Sequence, residues 1–202
     1  MNFDFCILNF ELLTMSVLGI HKVIELIESD KLLENLGARD ISNPEGVGID
    51  LRMGEAHRIT EGGAFIEADG TAGLGKRKGV KTEMIGKFHE GAETQETIEI
   101  KPGEYLLIST VEQVNTPKNL MPMVYSRSSL FRAGLLLLVT KVDPGYRGTL
   151  TMGLRNLSEF PVSLQMGARV CNIVFYQIEG EGVEYRGQHQ GGRISFGEEQ
   201  QV

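Results

Sequence analysis

The chain has 202 residues, of which 41% are hydrophobic and 23% charged, and its formal net charge is −7 at pH 7. That length supports one sizeable core, and the acidic balance excludes a basic nucleic-acid-binding surface over the whole chain, so we expect no nucleic-acid partner. Cys6 and Cys171 cannot form a disulfide framework, and no apolar run approaches the roughly 18 residues of a membrane span. We therefore expect reduced thiols, a cytoplasmic location and no membrane partner.

The first segment looks separable from the rest of the chain. Residues 1–14 lack the basic region of a signal peptide, and Met15 opens a stretch that resembles the natural start of a domain. We interpret residues 1–14 as an extension, either translated from an upstream start codon or added as a strand to a neighbour. From Ile20 to Ile27, apolar residues recur at i, i+3, i+4 and i+7. This spacing predicts a short N-terminal helix, which we expect to end at Gly37.

The segment 60–97 is rich in Gly, Glu, Lys and Thr and poor in large apolar residues. Lys76, Arg77, Lys78 and Lys81 form a small basic run within it. A phosphate-facing loop is one interpretation of this run. The composition favours the other, a solvated hairpin insertion.

From residue 98 onward, short apolar segments alternate with turn signals. The predicted strands lie near 98–100, 105–110, 121–125, 135–139, 149–154, 162–166 and 169–178. Short strands separated by Gly and Pro are typical of an all-β sandwich, jelly roll or barrel. We predict one mainly β domain over residues 15–180, without internal repeats.

The last residues, 181–202, are polar and Gly-rich and contain few apolar anchors. This composition predicts a flexible tail. The tail is either simply disordered or a segment that folds over a ligand.

Several catalytic signatures are absent from the sequence. The scattered histidines, His21, His57, His89 and His189, form neither the HxE…PCxxC pattern of zinc nucleobase deaminases nor HExxH. There is also no GxSxG elbow and no GxGxxG or GxxxxGK[ST] loop. We interpret the histidines as surface residues rather than ligands.

The densest polar cluster is YSRSSLFR at 125–132, which directly follows a predicted strand. Arg127 and Arg132 present paired donors suited to phosphate oxygens, and Ser128 and Ser129 add hydroxyl donors. The residues alone leave two interpretations equally open, a phosphate site and a polar turn.

A second polar group occurs in VDPGYRG at 142–148, where Pro and Gly force a tight turn. Asp143 ends an apolar run, a place where an inert core would not accommodate a carboxylate. It is interpreted as a turn cap, a catalytic base or an acceptor for a sugar hydroxyl.

Taken in chain order, these segments resemble the trimeric dUTPase and dCTP deaminase superfamily over residues 15–195. Four segments match family motifs: VGIDLRMG at 47–54 matches xSxDLRLG, IKPGEYLL at 100–107 matches LxPGEFxL, RSSLFRAGL at 127–135 matches RSSLARLGL, and VDPGYRG at 142–148 matches IDPGFxG. Three further segments match in position: 115–125 matches the stretch before the serine motif, 155–175 the run that closes the barrel, and 185–191 the YxGxYQG tail. Each match alone is weak, but the ordered set is specific.

The resemblance implies a distorted β-barrel of jelly-roll type, assembled as a homotrimer with active sites at subunit interfaces. It implies a deoxynucleoside triphosphate substrate bound with Mg²⁺, which is held through the substrate phosphates and not by protein ligands. A tail that closes over the nucleotide is part of the same expectation.

Residue roles follow from the same resemblance. The residues that match phosphate-binding or deaminase arginine positions are Arg127, Ser128, Ser129 and Arg132. Tyr146 matches the aromatic residue that lies against deoxyribose and disfavours a 2′-hydroxyl. Asp143 matches the carboxylate that orients water near the α-phosphate and contacts the sugar. The matching tail residues are Tyr185, Gln188 and Gln190.

Four departures from the family pattern stand out. Deaminases carry a glutamate as general acid/base in the strand after DPG, typically in TLEL, and Gly153 occupies that position here. The chain between Arg127 and Asp143 is slightly shorter than in deaminases, and this loop contributes to the base pocket. Asn172 stands where Gln is usual, and the tail resembles the GGFGSTG sequence only loosely.

The sequence therefore favours hydrolysis of dUTP to dUMP and pyrophosphate, with Asp143 positioning the water and Mg²⁺ neutralising charge on the leaving group. Three alternatives stay open. They are a dCTP deaminase with a different acid/base, a non-catalytic nucleotide-binding regulator on the same barrel, and a phage or viral jelly-roll protein with accidental motif matches.

Overall fold

The computed structural model describes residues 16–68, 76–180, 182–194 and 200–201, so the predicted extension 1–14 lies outside the described residues. The helices are α1 (Ile20–Asp30), α2 (Ala38–Ser42) and α3 (Ser128–Arg132). The strands are β1 (Leu33–Glu34), β2 (Ile49–Glu61), β3 (Phe65–Ile66), β4 (Lys76–Lys78), β5 (Lys81–Lys87), β6 (Thr97–Ile100), β7 (Tyr105–Asn115), β8 (Leu120–Ser126), β9 (Leu135–Leu138), β10 (Arg147–Asn156), β11 (Val162–Gln165), β12 (Arg169–Gln177) and β13 (Gln200–Gln201).

The main sheet is antiparallel and runs in the order β8-β12-β2-β7-β10-β9, with β1 added to β7 and β5 added to β2. The two ends of this path meet, because Met123 of β8 bridges to Lys141 just beyond β9. Beside this bridge, the Val142 N–H donates to the Pro122 carbonyl at 2.8 Å. The sheet is therefore a nearly closed barrel, which confirms the predicted mainly β class.

Side chains that alternate along the strands fill the barrel. With no Trp in the chain, the interior is almost entirely aliphatic. Among the largest fully buried apolar side chains of the central strands are Leu51, Met53, Leu106, Ile108, Leu154, Ile173 and Phe175. β6 and β11 pair with each other as a separate two-stranded sheet and contribute the fully buried Ile100.

The predicted N-terminal helix is confirmed, but the expectation that Gly37 ends it is wrong. α1 ends at Asp30, and Lys31 takes the left-handed conformation with φ 54°. The chain must turn there because Leu33 is buried in β1, opposite Val114. Gly37 instead caps the start of α2. No helix of the described ranges is long and apolar enough to cross a membrane.

The segment 60–97 contributes to the main sheet, since β5 pairs with β2 over most of its length. In this part of the chain, Lys81 forms a surface ion pair with Glu61 at 2.7 Å. Residues 69–75 lie outside the described ranges.

One buried ion pair joins β2 to β7. The Glu112 carboxylate is fully buried and accepts hydrogen bonds from Arg52 Nε at 2.6 Å and from the Arg52 backbone N–H at 2.8 Å. Burial raises the pKa of Glu112, and the Arg52 hydrogen bonds oppose that shift. Arg52 also donates to the Asn35 carbonyl and lies 5.2 Å from the centre of the Phe88 ring.

We expect Glu112→Gln to destabilise the fold by about 3–5 kcal/mol, because it leaves the Arg52 charge buried without its counter-ion. Urea unfolding followed by circular dichroism measures the change. Lys22→Ala is the control, since the Lys22–Glu25 pair is exposed and its loss costs at most about 1 kcal/mol. Equal unfolding midpoints for the two variants would contradict this account.

Candidate active site

The Asp143 turn is fixed by backbone hydrogen bonds to neighbouring segments. The Tyr146 N–H donates to the Asp143 carbonyl at 3.1 Å, and the Gly145 N–H donates to the Thr116 carbonyl at 2.9 Å. Gly145 has φ 78°, a conformation that L side chains rarely adopt, and a β-carbon there would also press on Glu184. The DPG sequence therefore holds Asp143 and Tyr146 at the two ends of one rigid turn.

This turn forms the rim of a cavity of about 440 Å³. The lining includes apolar side chains from β7 and β10, the Asp143 turn and four tail residues. The principal members are Leu107, Lys141, Asp143, Tyr146, Leu150, Thr151, Tyr185, His189 and Arg193. A mainly apolar cavity with a few convergent polar groups is the usual form of a small-molecule site.

Tyr146 and Tyr185 build one wall of the cavity. Their rings meet edge to face, with centroids 5.5 Å apart and planes at 71°. Tyr146 is buried and donates its hydroxyl to the Thr149 carbonyl at 2.5 Å. Burial, with a smaller effect from Tyr185, raises the pKa of Tyr146 to about 12. Tyr146 is therefore a neutral, flat surface suited to contact with a sugar ring.

Asp143 is the carboxylate that lines this cavity. Its side chain is 39% exposed and is paired with Lys141, which also lines the cavity. A carboxylate next to an ammonium group can orient water while the ammonium group attracts an anionic ligand. Burial lowers the pKa of His189, which lines the same cavity, and so favours its neutral imidazole.

The tail residues 182–194 lie against the Asp143 turn. The Tyr185 N–H donates to the Pro144 carbonyl at 2.7 Å. Gln190 accepts from the Arg147 N–H at 3.0 Å and donates to the Gly145 carbonyl at 3.1 Å. At Gly148, where φ is 138°, a β-carbon would collide with the backbone of Gly191, so close docking of the tail requires glycine.

The two predicted tail glutamines take different positions. The hydrogen bonds of Gln190 go to the backbone of the turn, so it positions the tail. Gln188 is half-buried, and its side-chain oxygen is buried without a hydrogen-bond partner in the described part of the chain. Neither glutamine lines the Asp143 cavity.

The structure places the predicted phosphate residues elsewhere. Arg127 lines a second, polar cavity of about 220 Å³, together with Asp50, Arg169 and Asn172. Asp50 pairs with both Arg127 and Arg169, the latter at 3.0 Å, and accepts from Asn172 at 3.0 Å. Burial and the neighbouring Arg169 lower the pKa of Arg127. We call these four residues the Asp50 cluster.

Ser128, Ser129 and Arg132 are exposed on α3, beside Arg127. Within one chain, the structure thus brings Asp143, Tyr146 and Tyr185 together but leaves Arg127 in another cavity. Sequence reasoning missed Asp50 and Arg169 as its partners. The available signal was the position of charged residues within the strands IDLRM and RVCNIVF, where half-buried charges need counter-ions.

The donor set for metals is sparse. Within the described ranges, no group of three or more His, Cys, Asp or Glu side chains could hold a metal ion. Asp143 offers one carboxylate anchor and its partner Lys141 is itself a cation, so these residues fit a metal only where an anionic ligand brings it.

The family model described as dCTP deaminase-like matches residues 17–178, and the chain belongs to that family. The dUMP-forming dCTP deaminase of Aquifex aeolicus is 30% identical over 164 residues, 81% of this chain and 82% of that enzyme. The dUMP-forming dCTP deaminase of Dictyoglomus turgidum is 35% identical over 134 residues, and the match spans 64% of each chain. This chain thus covers slightly less than two thirds of that relative.

Among solved structures, 2′-deoxycytidine 5′-triphosphate deaminase from Agrobacterium tumefaciens is similar, with a TM-score of 0.58 and 17% identity, covering 81% of this chain and 49% of that one. This likeness supports the fold. The family match confirms the resemblance that the ordered motifs indicated, and the relatives that share it are named as nucleotide-processing enzymes. The relatives' names favour the deaminase alternative over the dUTP hydrolysis that the motifs placed first.

We expect Gln190→Ala to release the tail from the Asp143 turn, because two hydrogen bonds of about 0.5–1.5 kcal/mol each are lost. Amide hydrogen exchange should rise about ten-fold or more across residues 183–194, while the thermal midpoint stays nearly constant. The control is Gln165→Ala. Gln165 lies on β11 and donates its amide to the Gln95 carbonyl, and neither residue belongs to the tail or to the Asp143 turn. Unchanged exchange in Gln190→Ala would show that other contacts hold the tail.

Proposed function

We propose that this protein binds a deoxypyrimidine nucleoside triphosphate at the Asp143 cavity and hydrolyses dUTP to dUMP and pyrophosphate. The observation that carries this choice is Gly153 on β10, which has no side chain at the position of the deaminase glutamate. Deamination replaces the amino group at C4 by oxygen and releases ammonia, so protons must move on the ring and on the leaving group. A glycine provides no group for that step.

The names of the relatives also support hydrolysis of dUTP, the activity that stays possible when deamination is lost. An enzyme that forms dUMP from dCTP must carry out two changes, removal of the amino group and removal of two phosphates. Loss of the glutamate prevents removal of the amino group but does not affect removal of the two phosphates. Hydrolysis at the α-phosphate requires only an oriented water and groups that neutralise the leaving pyrophosphate.

In the proposed reaction, water forms a bond to the α-phosphorus, and the bond to the bridging oxygen breaks. Pyrophosphate leaves with the electron pair, and Asp143 accepts the proton of the water. Tyr146 contacts the deoxyribose, and Lys141 attracts the phosphates. Mg²⁺, carried by the substrate phosphates, would neutralise the negative charge that develops on pyrophosphate.

We also propose that the sites are shared between subunits of a homotrimer. Asp143 and Arg127 line separate cavities of one chain, so a second chain must supply the phosphate arginine if both act on one substrate. Exposed apolar side chains near α3 and β9 offer surface for such contacts. They are Phe131, Leu136, Leu138 and Val139. In this arrangement Ser128, Ser129 and Arg132 would reach the phosphates from the neighbouring subunit.

The second candidate is dCTP deamination, which the relatives favour by name. It would need an acid/base other than residue 153. Among the described residues that line the cavity, the candidates are the imidazole of His189 and the carboxylate of Asp143. A nucleotide panel decides between the two. We expect pyrophosphate from dUTP and no ammonia from dCTP, and steady multiple-turnover ammonia release would instead establish the deaminase.

We expect Asp143→Asn to lower the rate of dUTP hydrolysis by about 10²–10⁴-fold with binding retained, because the amide keeps size and hydrogen bonding but cannot accept the proton. Pyrophosphate release under single-turnover conditions measures the change. Glu159→Gln, an exposed carboxylate in the turn before β11, is the matched control. A wild-type rate in Asp143→Asn would assign Asp143 to the turn alone.

Shared sites predict complementation between two inactive variants. Arg127→Ala and Asp143→Asn, unfolded together in equal amounts and refolded, should regain about one quarter of the wild-type activity, since one of four subunit pairings restores both groups. Light scattering should give the mass of a trimer. No recovery in a correctly assembled mixture would place both residues in the site of a single chain.

A further inference from the structure

Position 153 lies on the same face of β10 as Thr151. Thr149, Thr151 and Gly153 share one face of this strand because side chains alternate. Thr151 lines the Asp143 cavity and donates its hydroxyl to the Arg193 carbonyl of the tail. Leu107, the β7 residue opposite Gly153, lines the same cavity. Gly153 and Tyr105 are not among the lining residues of the cavity, but the space above Gly153 lies directly beside the part of the cavity wall that Leu107 and Thr151 form.

That space is filled by another side chain. Tyr105 lies two residues before Leu107 on the same face of β7, diagonal to Gly153, where an aromatic side chain reaches across. A β-carbon on residue 153 would lie 2.9 Å from the Tyr105 Cε2 and Cζ atoms and closer still to its hydroxyl. Any larger residue at 153 requires Tyr105 to move. The glycine and the tyrosine therefore form one steric unit.

The Tyr105 hydroxyl is available to a ligand. The side chain is half-exposed, and within the described part of the chain the hydroxyl has no hydrogen-bond partner. It thus places a hydrogen-bonding group where the family places a carboxylate. A tyrosine hydroxyl can donate to a pyrimidine carbonyl or ring nitrogen.

We propose that Tyr105 is the base-recognition residue of this site, and that its hydroxyl binds the pyrimidine edge from the position vacated at Gly153. This rests on the proposed function, because the nucleotide must lie in the Asp143 cavity. The pair Gly153–Tyr105 replaces a proton-transferring group with a binding group. The site therefore holds the base without deaminating it.

The test is a double-mutant cycle on binding of 2′-deoxyuridine 5′-(α,β-imido)triphosphate with Mg²⁺, measured by calorimetry. Tyr105→Phe keeps the ring and removes only the hydroxyl, and we expect affinity to fall about five- to ten-fold. Gly153→Ala displaces the ring and should lower affinity similarly. The double variant should show no further loss, because both changes remove one contact.

Tyr176→Phe is the matched control. Tyr176 lies on β12, its hydroxyl bonds the Tyr125 hydroxyl at 2.8 Å, and it lines neither the Asp143 cavity nor the cavity of the Asp50 cluster. It should bind as the wild type does. Thermal unfolding checks that each variant is folded, and Tyr105→Phe alone decides the matter if Gly153→Ala does not fold. Wild-type affinity in Tyr105→Phe refutes this inference alone, whereas a wild-type protein that does not bind the analogue refutes the proposed function as well.

Discussion

The buried carboxylate of Glu112 is the constraint on which the arrangement of the barrel depends. It cannot remain ionised in the interior without Arg52, and Arg52 supplies both its side chain and its backbone N–H. This fixes β2 against β7 at one register, since a shift by one residue would turn Arg52 to the opposite face. β2 also carries Asp50, so the same register aims the Asp50 carboxylate at Arg127 and Arg169.

The two cavities differ in polarity and therefore suit different parts of a ligand. The Asp50 cluster is polar and holds its arginines in place with a carboxylate, which a phosphate group would have to compete with or displace. The Asp143 cavity is mainly apolar, Asp143 is the one acidic residue among the described residues that line it, and the cavity suits a nucleoside. Joining them through a neighbouring chain would place the anionic end of a substrate against arginines and its flat end against Tyr146.

Alternating apolar residues were sufficient for the mainly β class and the DPG sequence for the Asp143 turn, because both are local signals, whereas the barrel followed only from the family resemblance. Local signals failed at Gly37, where burial of Leu33 ends the helix early. They also could not reveal that Tyr105 occupies the space above Gly153, since these residues are 48 positions apart and meet only through strand pairing. The resemblance placed Gln190 in the tail that closes over the nucleotide, and in this structure its amide group bonds the backbone of the Asp143 turn.

The docked tail has a kinetic consequence. Residues 182–194 contact the Asp143 turn of their own chain through backbone groups of Tyr185, Gly191 and the turn itself. Closure is then a unimolecular event, and its rate is independent of protein concentration.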